Sequence, residues 1–213
     1  RDLSTDLRFS GRNVALAALL HVLFLVACTW AWRAVVVAVG ARRPSWLDAF
    51  SHLVASGIAK YVPGKVWGPA ARAVVMKGDG IDWSYALVAM AVEQYLLVHS
   101  SLVVMGLGAA VLRPSSFTYL LAGIAIASMP LGLYVLAATR PLLQRLGHFD
   151  KLKPLAEALA RPLRIGVGAY LSLLGKYIVV WSSSGLVLVA LYAAFFQPID
   201  DYALLVAIVF ANT

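Results

Sequence analysis

The chain has 213 residues, of which 62% are hydrophobic and 13% charged, and its mean hydropathy is +0.83. A soluble domain carries roughly twice that share of charged residues, so a soluble globular domain is excluded and a multi-pass α-helical membrane protein fits. The net charge of +8 invites a nucleic-acid reading, but basic residues of membrane proteins collect in cytoplasmic loops and against anionic head groups. Membrane lipids, anionic or phosphate-bearing, are therefore the expected partners, and nucleic acid is not. The single cysteine, Cys28, excludes a disulfide framework and a cysteine metal site.

Apolar runs of roughly 18 or more residues mark spans. The first is Asn13–Val39, closed by Gly40 and the turn Arg42-Arg43-Pro44. It is too long for the h-region of a signal peptide, which holds about 7–15 residues. Residues 46–76 then break the scheme. Trp46–Ala59 is apolar but only 14 residues long, too short for an ordinary crossing. It runs into Lys60-Tyr61-Val62-Pro63-Gly64-Lys65-Val66-Trp67-Gly68-Pro69 and a second short helical stretch, Ala70–Met76. Pro63, Gly64, Gly68 and Pro69 lie within seven residues, and a helix does not continue through them: proline lacks the N–H donor and glycine adds backbone freedom. Irregular backbone at membrane depth persists only where it is buried in protein or lines a wet cavity. Two half-helices meeting at such a break, framed by Lys60, Lys65 and Arg72, suit a phosphate group. The expectation is a re-entrant broken helix; the alternative is a cytoplasmic loop whose lysines face water.

The second span is Trp83–Leu112, stopped by Arg113-Pro114, and the third is Phe117–Ala138, with Pro130 inside it. Residues 140–164 then carry six basic residues against Asp150 and Glu157. The positive-inside bias puts them in the cytoplasm and places 113–116 and 197–201 outside. The same bias turns Arg42, Arg43, Lys65 and Lys77 inward and leaves residue 1 outside. Within 141–163, Leu142, Leu146, Phe149, Leu152, Leu155 and Leu159 recur at helical spacing, which fits an amphipathic helix on the inner membrane face or a plain connector. The fourth span is 165–196. A fifth run, 202–213, stops short of the roughly 20 residues a crossing needs. Residues 1–213 are thus expected to be a single transmembrane domain, an all-α polytopic helical bundle, and a piece of a longer protein.

The segment Lys60–Arg72, KYVPGKVWGPAAR, resembles the signature of the lysylphosphatidylglycerol synthase transmembrane (flippase-like) family, in which a Tyr-x-Pro-Gly element precedes an arginine. Trp32-Arg33 at the end of the first span and Glu93 about twenty residues beyond Arg72 agree with it. The family's second Pro-Gly-Gly element would follow the last span seen here. The resemblance implies a plasma-membrane protein that handles polar lipids, by moving an aminoacylated phosphatidylglycerol between leaflets or by serving prenyl-linked sugar pathways.

A charge in hydrocarbon costs roughly 2.5–3.5 kcal/mol on insertion scales, so ionisable residues inside spans are functional candidates. Glu93 lies roughly 15 Å into the second span, with Gln94 beside it and Ser100 on the same face. Lys176 lies about 11 residues into the fourth, with Ser172 and Ser183 on its stripe. Glu93 suits a cationic head group or a proton relay and Lys176 a phosphate; the alternative is a buried ion pair that binds nothing. Glu93 is expected to face the Pro63-Gly64 break, within reach of Arg72 or Lys176. The candidate head-group residues are Lys60, Tyr61, Pro63, Gly64, Lys65, Trp67, Arg72, Glu93 and Lys176. His21 and His99 read as core hydrogen-bonders, and Arg33 as snorkelling to an interface beside Trp30 and Trp32. Trp46, Trp67 and Trp83 read as membrane-interface belt residues, and Gly106 and Gly108 as sites of close helix contact. No nucleophile–base pair, phosphate-cradling glycine loop or metal-ligand spacing is legible, so no catalysis, metal or cofactor is expected of this chain.

Three functions fit these residues: a flippase-like, lipid-translocating domain; a membrane anchor or scaffold for a fused or associated aminoacyl- or glycosyltransferase; and an ion-coupled transporter of a small solute. Oligomerisation is left open.

Overall fold

The computed structural model describes residues 9–63, 67–112, 114–138 and 165–195. The amphipathic segment expected at 141–163, the partial span at 202–213, and Gly64 and Lys65 of the break lie outside them. Among the described residues all regular structure is helical: α1 (Gly11–Ala38), α2 (Trp46–Ala59), α3 (Trp67–Gly78), α4 (Trp83–Leu112), α5 (Ser116–Ala138) and α6 (Val167–Phe195). Helices α1, α4 and α6 are long and apolar enough to cross a membrane, and α5 runs for 23 residues through Pro130. This is the all-α membrane architecture that the composition requires. Its outward faces are apolar: Leu16, Leu19, Val22, Leu23 and Val26 of α1 are about half exposed. Leaving the exposed half of such a side chain in water would forfeit roughly 0.7–1.5 kcal/mol, a cost that disappears in hydrocarbon.

The polypeptide divides into two compact units. One is built from Arg1–Cys28, His99–Ala127 and Gly175–Thr213. Here the start of α1 meets the end of α6: Ser10 N donates to the Ala194 carbonyl at 2.9 Å, and Asn13 Nδ2 to the Ala193 carbonyl at 2.7 Å. Carbonyls of a last helical turn have no partner within the helix, and α1 supplies one. His99 donates from Nε2 to the Ala125 carbonyl at 3.0 Å, the core hydrogen-bonding role expected of it. Gly106 lets α4 approach α5 closely; a Cβ there would lie 3.1 Å from the Ala122 Cα.

The other unit comprises Thr29–Val98 and Ser128–Leu174 and holds the broken segment. Helices α1 and α3 end in the same way. Gly40 (φ 85°) and Gly80 (φ 78°) adopt the left-handed conformation, and the N–H groups of Ala41 and Ile81 reach back to the Val36 and Met76 carbonyls, which closes each helix. A reciprocal cap opens α2. Asp48 N donates to Ser45 Oγ at 3.1 Å and Ser45 N to Asp48 Oδ2 at 3.0 Å, and the Ser45 hydrogen bonds hold the Asp48 carboxyl below the ordinary carboxylate range. The helix unwinds through Lys60, Tyr61 and Val62, whose N–H groups bond to the carbonyls of Ser56, Ile58 and Ala59. Helix α3 starts at Trp67, and Pro69 falls in its first turn, where its missing N–H costs nothing. Helices α2 and α3 pack on one another, and Gly68 makes this possible near the break: a Cβ there would come within 3.3 Å of Ser56 O and Oγ.

Candidate functional site

Helical spacing defines the inner faces of this hairpin. On α2, Ala49, His52 and Ser56 follow one another at three and four residues, while Leu47, Phe50, Val54 and Ile58 form the exposed apolar face. On α3, Gly68, Arg72 and Met76 are buried at intervals of four, and Asp79 follows three residues on. On α4 the buried stripe is Ala86, Ala89, Glu93 and Leu96. The small side chains of Ala86 and Ala89 leave room beside Glu93 for a long partner.

That partner is Arg72. Its Nη1 donates to Glu93 Oε2 in a buried ion pair, with Arg72 8% and Glu93 6% exposed. The guanidinium also lies over the Trp32 ring, 4.5 Å from its centroid, an arrangement worth about 0.5–2 kcal/mol as a cation–π contact. Arg72 Nε is buried with no hydrogen-bond partner among the described residues. Trp32 is fully buried, and its Nε1 donates to His52 Nδ1 at 3.2 Å. His52, also fully buried, meets Asp79 Oδ2 through Nε2 at 2.8 Å. Asp79 is the outer member, with its side chain 32% exposed. Five side chains from α1, α2, α3, α4 and the α3–α4 turn are thus linked in sequence, from Glu93 to Asp79.

Two of the nine candidates, Arg72 and Glu93, come together in the core. Lys60, Tyr61, Pro63 and Trp67 sit at the break and are exposed, Tyr61 at 82%. There Lys60 Nζ lies 5.4 Å from the Tyr61 ring centroid, and Trp67 Nε1 donates to the Pro63 carbonyl at 2.9 Å, which bridges the two sides of the break. Lys176 is half-buried on α6 and belongs to the other unit. Trp46, Trp67 and Trp83 are all about half exposed. Arg33 is more tightly held than a snorkelling side chain: its Nε donates to the Pro44 carbonyl at 3.0 Å and its guanidinium lies 4.6 Å from the Trp46 ring centroid.

His52 and Asp79 were not among the sequence candidates. The signal for His52 was the polar series Asp48, His52 and Ser56 at intervals of four in a mostly apolar helix, which marks an inward face when lipid covers the other. Asp79 has no local signal, because its partner is 27 residues away. Among the described residues no cluster of side chains has metal-binding composition.

The family model described as the lysylphosphatidylglycerol synthase TM region covers residues 6–213. No curated protein and no solved structure matches the chain.

Proposed function

We propose that this chain, which belongs to the family of lysylphosphatidylglycerol synthase TM regions, carries a polar lipid with a phosphate-bearing head group between the leaflets of the cell membrane. The observation behind this reading is the buried Arg72–Glu93 pair with its unused guanidinium donor. A head group that leaves water must have its hydration replaced at mid-depth, where unpaired charge is costly. Arginine presents a planar fork of N–H donors that matches a phosphate in bidentate fashion. When a phosphate takes Arg72, Glu93 can pair with a cationic amine such as that of an aminoacyl group, so that both charges stay compensated. On this reading α2 and α3 form a re-entrant hairpin that enters and leaves from the cytoplasmic side. Lys60, Tyr61, Pro63, Gly64, Lys65 and Trp67 then meet the head group first, at the hairpin's break; Lys176, in the other unit, is a separate candidate phosphate ligand.

The test uses proteoliposomes that hold an acyl-labelled aminoacyl-phosphatidylglycerol, with the outer-leaflet label quenched chemically to read transfer. Arg72→Lys keeps the charge but removes the fork, and slows transfer by about tenfold, on the order of 1.4 kcal/mol. The double substitution Arg72→Met with Glu93→Met keeps the fold, because an apolar pair replaces a buried ion pair at little cost, and abolishes transfer. Transfer at the wild-type rate in that double variant would refute the proposal and leave a membrane anchor for an attached transferase as the function.

A further inference from the structure

The hydrogen-bond chain behind Arg72 admits one arrangement of protons. An indole N–H donates and never accepts, so His52 Nδ1 must offer its lone pair to Trp32 Nε1, 3.2 Å away. The imidazole proton is then on Nε2, aimed at Asp79 Oδ2, 2.8 Å away. Asp79 is itself fixed: its N–H bonds to the Val75 carbonyl, and the next residue, Gly80, closes the turn. A carboxylate that orients a ring through one nitrogen sets what the other nitrogen can do. Here the other nitrogen holds the indole. Trp32 meets His52 edge-on, with the ring planes at 86°, and offers its face to the Arg72 guanidinium. Rotation of the indole would break the bond to His52 or withdraw the face from Arg72.

We infer that His52 and Asp79 are positioning residues which, through Trp32, hold the Arg72 guanidinium against Glu93, and that they do so only while His52 is neutral. This role rests on the reading of Arg72 as the head-group ligand. A second proton on His52 would sit on Nδ1, donor against donor with the Trp32 N–H, and would free the indole. The charges that act on His52 are Asp79 and Arg72 of the α3 side and Asp48 on its own helix; the Glu93 charge is paired with Arg72. Acid therefore loosens the frame around Arg72 from its outer, partly exposed end.

The experiment uses the full chain in phosphatidylcholine nanodiscs, with the indole nitrogens ¹⁵N-labelled, and follows the Trp32 N–H resonance, assigned by its loss in Trp32→Phe. In the wild type this resonance shifts on acidification as His52 titrates. His52→Asn places Oδ1 where Nδ1 stood, so the resonance stays hydrogen-bonded and loses its pH dependence. His52→Leu moves it to the position of a free indole. In the transfer assay at neutral pH, His52→Leu and Asp79→Asn slow transfer by about tenfold, as loss of an orienting partner does elsewhere, and His52→Asn restores part of it. A Trp32 resonance indifferent to both His52 variants and to pH would overturn the relay whatever the transfer rate. A resonance that responds, together with unchanged transfer in His52→Leu while Arg72→Lys is impaired, would overturn the positioning role alone. If Arg72→Lys itself transfers normally, the head-group reading fails and the role of His52 in transfer fails with it, while the hydrogen-bond chain stands.

Discussion

The buried Arg72–Glu93 pair and the ring beneath its arginine give a stability difference that can be calculated and measured. Removing one partner of a buried ion pair leaves the other uncompensated, at a cost of about 3–5 kcal/mol. Glu93→Met strands Arg72, but that guanidinium still lies 4.5 Å above the Trp32 ring, which returns about 0.5–2 kcal/mol. Arg72→Met removes the ion pair and the Trp32 ring contact together. The expected losses are therefore about 3–5 kcal/mol for Arg72→Met and roughly 2–4 kcal/mol for Glu93→Met. The double variant should recover most of the loss, with a coupling energy on the order of 2–4 kcal/mol. A Trp32→Leu background should remove the asymmetry, because it takes away the face that shelters the stranded arginine. Reversible unfolding in mixed micelles by added SDS gives all the required free energies. Single variants each within about 0.5 kcal/mol of wild type, the size of an ordinary surface substitution, would refute a buried pair; a larger loss for Glu93→Met than for Arg72→Met would refute the role given to Trp32.

Gly68→Val should force α3 away from Ser56, whose backbone and side-chain oxygens lie 3.3 Å from the position a Cβ would occupy, and lower stability by about 1–3 kcal/mol; Gly57→Ala, with open space around the added methyl group, should change SDS unfolding far less. Replacing Cys28, the single cysteine, with serine gives a background for labelling: cysteines at positions 42 and 77 should react with an impermeant reagent from the same side of the membrane. Reaction from opposite sides would mean that α2 or α3 crosses, and the re-entrant arrangement would be dropped.

What the sequence determined by itself was the solvent and the elements. Apolar runs with few charges have no alternative but helices in a bilayer, because every backbone polar group must be satisfied within the segment, and α1, α4, α5 and α6 follow those runs. The break between α2 and α3 was equally legible, since proline and glycine act on their own backbone and need no distant partner. Capping is local in the same way: Gly40 closes α1 where the first apolar run was read to end, whereas the Ser45–Asp48 cap and Gly80 emerged in the structure. The family signature, read on Lys60–Arg72 with Trp32-Arg33 and Glu93, is matched by a model that covers residues 6–213. Tertiary structure alone decided the partners. Sequence offered Glu93 both Arg72 and Lys176; tertiary packing brings Arg72 to Glu93 across 21 residues of sequence. It also drew Trp32, His52 and Asp79 into a chain behind Arg72. Each of these bonds joins residues 20 or more apart in sequence, where local periodicity carries no information. An ion pair or a ring contact depends on distances of a few ångströms between side chains, and only the packing of helices sets those.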